Sequence, residues 1–122
     1  MSISNYAELK LLDHVTGRAS FTMPTNVYVK LHTSDAGENG TTGAATETTR
    51  KVVAWSAAAS GSIASSATLE WTNVSTTETY SHWSMWDAST AGNCLWTGAL
   101  SASAAVTAGD TFQITTLTLT LD

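Results

Sequence analysis

The sequence predicts a mainly β protein, a jelly-roll-like antiparallel β-sandwich with one short N-terminal helix, and three observations carry that prediction. Of the 122 residues, 55 are Thr, Ser or Ala while only 12% are charged. A helical bundle needs more Glu, Lys and Arg on its surface, whereas Thr-rich faces suit strands. Several short segments alternate apolar with polar residues, the period of two expected of half-buried strands. Turn residues separate these segments roughly every 8 to 15 positions, the spacing of a sandwich. A hydrophobic fraction of 43% with five Trp excludes a disordered chain, because the apolar groups suffice to offset ordering entropy. At this length we read one domain, 1–122, with 1–25 as a helix and arm at its start.

The elements follow in order. Ser4 or Asn5 caps a helix over 4–15, with Tyr6, Leu9, Leu12 and then His14 or Val15 at helical spacing up to Gly17. Val27, Val29 and Leu31 alternate with Tyr28, Lys30 and His32, giving a strand over 26–33. Residues 34–49 hold three of the eight glycines and almost no large apolar group, which marks a surface loop. A strand over 50–56 is read through Val52, Val53 and Trp55, a turn over 57–66, and a strand through Ala67, Leu69 and Trp71. Tyr80 to Trp86 is apolar on both parities, with Tyr80, His82 and Trp86 on one and Trp83 and Met85 on the other. Such a strand is central, with both faces covered by a second sheet or a neighbouring subunit. Asp87 to Gly92 is a turn leading to a hairpin partner over 93–100, and Ala108-Gly109-Asp110 is the next turn. In the last strand Phe112 and Ile114 occupy one parity and Leu117, Leu119 and Leu121 the other. A β-bulge or a crossing between sheets is therefore expected at Thr115-Thr116.

Charge excludes some partners. The net charge is −5, and Lys10, Arg18, Lys30, Arg50 and Lys51 form no basic stripe, so nucleic-acid binding is not expected. No apolar run approaches a membrane span, and MSISNYAELK lacks the basic and apolar regions of a signal peptide. Synthesis in the cytoplasm is expected. The single Cys94 has no internal disulfide partner, so stability rests on packing and assembly.

No motif of an enzyme is present, and an enzyme is not expected: there is no nucleophile elbow, phosphate loop or His-Glu-x-x-His sequence. His14, His32 and His82 lie far apart without metal-ligand spacing. If their strands pair, His32 and His82 meet, with Cys94 or Asp35 in reach; a polar interior contact is the expected reading, and no metal or cofactor is assigned. Asp35-Ala36-Gly37-Glu38-Asn39-Gly40 is oxygen-rich, but its spacing departs from the EF-hand pattern. A turn in which Asp35 accepts from nearby backbone N–H groups fits better. The five Trp are read mainly as core, one or two of them as subunit interface, with sugar stacking as the alternative.

Ser4-Asn5-Tyr6, Leu11-Leu12-Asp13-His14-Val15 and the run Tyr28 to Glu38 (YVKLHTSDAGE) resemble the opening of a family of small tailed-phage virion proteins. Thr79 to Ala88 (TYSHWSMWDA), Gly92 to Leu100 (GNCLWTGAL), Val106 to Phe112 and Leu117 to Asp122 extend the resemblance over nearly the whole chain. The family often has Pro in place of Ala36 and smaller residues in place of Trp83 and Trp86. Its members are described either as head decoration (cement) proteins or as tail fibre proteins. The resemblance implies a virion structural protein. Its first reading is a capsid decoration protein that seats on the major capsid protein at the capsid surface as a homotrimer; the alternative is a tail fibre or receptor-binding module contacting host glycans. Contact residues expected on this basis are Tyr6, Leu9 and Leu12 of the helix and Asp35, Glu38 and Asn39 of the loop. Trp83, Trp86 and Trp96 are expected at a subunit interface.

Overall fold

The computed structural model describes residues 1–121; Asp122, the last residue of the expected domain 1–122, lies outside the described residues. The elements are β1 (Ser2–Ile3), α1 (Asn5–Val15), β2 (Tyr28–His32), β3 (Lys51–Val52), β4 (Ser62–Ala64), β5 (Leu69–Trp71), β6 (Glu78–Trp86), β7 (Cys94–Val106), β8 (Phe112–Ile114) and β9 (Thr118–Thr120). All strand pairs are antiparallel. The architecture is mainly β and sandwich-like: a five-stranded sheet in the order β1-β7-β6-β2-β3 is joined through one core to two ribbons, β4-β9 and β5-β8.

Ser4 starts the helix. Its backbone is extended and its hydroxyl accepts a hydrogen bond from Ala7 N at 3.1 Å, while also donating to the Cys94 carbonyl. One of the free N-terminal donors is thus satisfied. The helix ends at Thr16, with Gly17 at a φ of 77°, a left-handed turn that glycine adopts without a Cβ clash. Ala7 is buried against the body of the fold, whereas Leu9, Leu12 and Val15 are 67%, 60% and 74% exposed.

The core gathers Val29 and Leu31 from β2, Tyr80, Trp83 and Met85 from β6, Leu95 and Val106 from β7, and the ribbon residues Leu69, Trp71, Phe112, Ile114 and Leu119. Aromatic contacts tie the layers together, with the Tyr80 and Phe112 rings edge-on at 5.1 Å and the Trp71 and Phe112 rings tilted at 5.9 Å. Tyr80 lies with Trp83 and Met85, not with His82 and Trp86 as strict alternation predicts. The parity change falls at an irregularity in the pairing, where His82 pairs with Ala99 but Tyr80 pairs with Ala104, and the tyrosine lies on the core side.

The parity change at the C-terminus is a crossing between ribbons. Phe112–Ile114 pairs with β5 and Thr118–Thr120 with β4. The intervening residues re-aim the chain, so that Ile114, Leu117 and Leu119 are all buried. Elsewhere the expected strand over 50–56 reduces to Lys51–Val52 plus an isolated bridge from Trp55 to Ser65. The expected turn over 57–66 contains β4.

Candidate functional site

The outer face of β2, β6 and β7 is polar, yet much of it is buried, because the loop from Thr33 to Ala45 folds back across it. Thr33 N donates to the Gly43 carbonyl and Ala45 N to the Leu31 carbonyl, and His32 bridges to Ala44. Small residues permit this approach. A Cβ on Gly40 would stand 2.7 Å from Cys94 Sγ and 3.0 Å from the Trp86 ring. The central strand is thus covered on its second face by its own loop, not by a second sheet or another subunit.

Beneath the loop runs a directed chain of hydrogen bonds. The Thr42 carbonyl, 2.8 Å from His32 Nδ1, can only accept, so Nδ1 carries the ring proton and Nε2 accepts. Ser84 O–H then donates to Nε2 at 2.7 Å, and the freed lone pairs of Ser84 accept Trp86 Nε1–H at 2.7 Å. His32 and Ser84 are both fully buried. Burial holds the His32 imidazole below its ordinary range, against the raising effect of the Thr42 carbonyl, with Lys30 and His82 lowering it further. The ring is therefore neutral. A Ser–His pair in this setting is closed to substrate, since loop and sheet shut both members away from solvent.

Arg50 seals the far side. Its guanidinium lies 4.1 Å from the Trp86 ring centre and donates to the Ala88 and Ala91 carbonyls at 2.8 and 2.7 Å. This pins the β6–β7 turn, which Asp87 closes by accepting from the Asn93 backbone and side-chain amides. Cys94 is buried here, and burial pushes its thiol up to about 11. It is a packing group, not a nucleophile. At the other end, Glu78 accepts from Thr46 N and Glu47 N, and Glu47 accepts from Thr49 N and Ser75 N. Burial opposes ionisation of Glu47, but these bonds and nearby Lys51 hold its carboxyl below the usual range.

His32 and His82 face each other across β2 and β6, as the sequence reading allows if their strands pair. His82 lines a small cleft of about 140 Å³ with Asp35, Glu38, Ser2 and Thr97. Among the described residues no group of three or more His, Cys, Asp and Glu is arranged to hold a metal ion. Asp35 makes the expected turn, accepting from Gly37 N at 2.9 Å.

Of the expected contact residues, Leu9 and Leu12 are exposed on the helix, and Asp35, Glu38 and Asn39 are exposed on the loop's outer side. Tyr6 is half-buried, packing edge-on against Phe21 under Lys10. The expectation of interface tryptophans needs correction: Trp83 and Trp86 are 3% and 8% exposed within the single chain, so their surface is spent inside the subunit. Trp83 fills the core over Gly98 and Trp86 is roofed by Gly40 and Arg50. Trp96 differs. It is half-buried and forms a wall common to two apolar grooves of about 210 and 240 Å³, together with Leu119 and Leu121. Sequence reading missed Val15 and Leu121, 74% and 52% exposed; the helical spacing of Val15 was its signal.

No helix of the described residues is long and apolar enough to cross a membrane. None of the curated proteins matches the chain. Residues 2–122 match the family described as Podophage GP4 fiber I protein gp80, and the chain belongs to that family.

Proposed function

We propose, with membership of this podophage fibre family as the premise, that the protein is a structural subunit of the virion's fibre apparatus, acting by assembly and not by catalysis. The observation that carries the reading is the family match across residues 2–122. The fold supports it. The polar groups of the Ser–His pair are consumed in holding the loop, and the surface offers apolar contact instead: Leu9, Leu12 and Val15 on α1 and Leu121 beside Trp96. A second copy of the chain, in a homotrimer, is the partner proposed for these surfaces, because multivalent seating stabilises a subunit that has no disulfide.

This reading places the tail fibre ahead of capsid decoration on the major capsid protein. Recognition of host glycans by stacked indoles is not included, since all five Trp are buried or half-buried. The test is the copy number and position of the protein in purified virions, by quantitative mass spectrometry and immunogold labelling. A small number of copies at the tail, in multiples of three, is expected. Hundreds of copies spread over the head would replace the fibre reading with the decoration reading.

A further inference from the structure

Beside the outer edge of β7 lies a groove of about 760 Å³. Its walls are two runs of consecutive residues, Ala99–Ala104 and Phe112–Thr118, and Met1 and the buried Trp83 complete the lining. The face of a sheet contributes alternate residues to a groove, whereas consecutive residues mark a backbone edge. Both walls are edges, and among the described residues neither has a partner strand on the side that faces the groove.

β1 covers only Trp96 and Thr97 on the outer side of β7. Leu100–Ser103 have no cross-strand partner in β6 either, because these four residues oppose the single Ser81 across the register shift. On the other wall, Phe112–Ile114 pairs with β5 on one side only, and Thr115 and Thr116 belong to no strand. Ser101, Ala102, Ser103, Gln113, Thr115 and Thr116 are all exposed. No side chain lining the groove is ionisable, and the α-amino group of Met1 is the one ionisable group there.

We propose that this groove is a docking site for an extended, uncharged polypeptide segment of a partner protein, which enters as an added strand and hydrogen-bonds to both edges. Backbone groups supply the binding and the apolar floor receives alternate side chains of the segment. With no ionisable side chain in the lining, an uncharged segment is favoured, since a charged side chain entering the floor would be desolvated without a side-chain counter-charge. A saccharide would need an accessible aromatic face, but Trp83 is only 3% exposed. The bulge over Leu100–Ser103 bars flat edge-to-edge pairing between two sheets, so a lone strand is the shape that enters. The inference holds wherever in the virion the protein sits.

The test is an NMR titration of the full chain with three probes: a capped heptapeptide of alternating threonine and valine, the same peptide N-methylated at alternate residues, and maltotriose. With the first peptide, the amides of Ala99–Ser103 and Gln113–Thr116 are expected to shift and to gain protection from exchange. The N-methylated twin, having lost one edge's donors, is expected to bind about tenfold more weakly or worse. No shift with the unmodified peptide, equal binding by its twin, or shifts with maltotriose alone would each overturn the proposal.

Discussion

Trp83 and Gly98 are cross-strand partners, and the indole covers the glycine so closely that a Cβ there would stand 2.6 Å from Trp83 Cζ2. A glycine inside a strand ordinarily weakens it, and here the ring occupies the space and shields the backbone. Trp83 has nowhere to retreat, being enclosed by the core. Gly98→Ala is therefore expected to destabilise by about 1–3 kcal/mol through overpacking, read from the urea midpoint. In a double-mutant cycle with Trp83→Phe, which makes room, the two changes are expected to depart from additivity by about 0.5 kcal/mol or more.

Ser84 is the hinge of the buried hydrogen-bond chain. Ser84→Ala strands an indole donor and an imidazole acceptor at a fully buried position. Each unsatisfied group costs about 1–3 kcal/mol, so a clear drop in thermal midpoint is expected. Ser84→Thr keeps the hydroxyl and should lose less; equal losses for the two variants would show that the hydroxyl is unimportant.

The neutral, buried His32 makes stability depend on pH. Its folded pKa is depressed below 6.5 by burial, so between that lowered value and about 6.5 the unfolded chain binds more protons than the folded one. The contribution is complete above about pH 6.5 and is lost as pH falls through the folded value. Denaturant unfolding between pH 8 and pH 5 should show stability declining toward acid. His32→Gln should flatten that slope, whatever its cost at pH 8.

Gly40 and Cys94 offer a chemical reading of loop closure. The thiol is 5% exposed and pushed up to about 11, so it should react slowly with a disulfide reagent at pH 8 in the native protein. Gly40 has a φ of 67°, and its Cβ would collide with Cys94 Sγ and Trp86. Gly40→Ala is expected to lift the loop and speed modification by tenfold or more, about the effect of a 1.4 kcal/mol shift toward the open form. Unchanged reactivity would mean that the loop does not guard the thiol.

Much of this fold is legible as pattern. The helix follows from Ser4 and its spacing, β5 from Leu69 and Trp71, and the ribbon crossing from the parity change after Ile114. Failures occur where side chains carry no periodic signal. β1 has two residues and β4 three, in segments without a period-two pattern, and both are fixed by tertiary pairing, β1 with the long β7 and β4 with the equally short β9. β7 continues to Val106 through SASAAV, where small residues obscure alternation. The site was legible only in part. His32 opposite His82 follows from strand pairing, but Ser84 and the roofing loop do not, because burial of a polar face depends on a distant glycine, Gly40, that admits the loop. Nor does the sequence show that Trp83 and Trp86 fit inside the subunit, because the space they fill is made by Gly98 and Gly40.

The loop over the polar face separates two kinds of position within one short stretch. Ala36, Gly40 and Ala45 point inward and are buried, while Glu38 and Asn39 are exposed and their side chains take part in no hydrogen bond among the described residues. Inward positions answer to packing, and outward ones are free of it. A virion protein with this arrangement can change what its loop presents to the outside by substitution at Glu38 and Asn39 without renegotiating its fold, so variation in contact and constancy in architecture are separated by the thickness of a single chain.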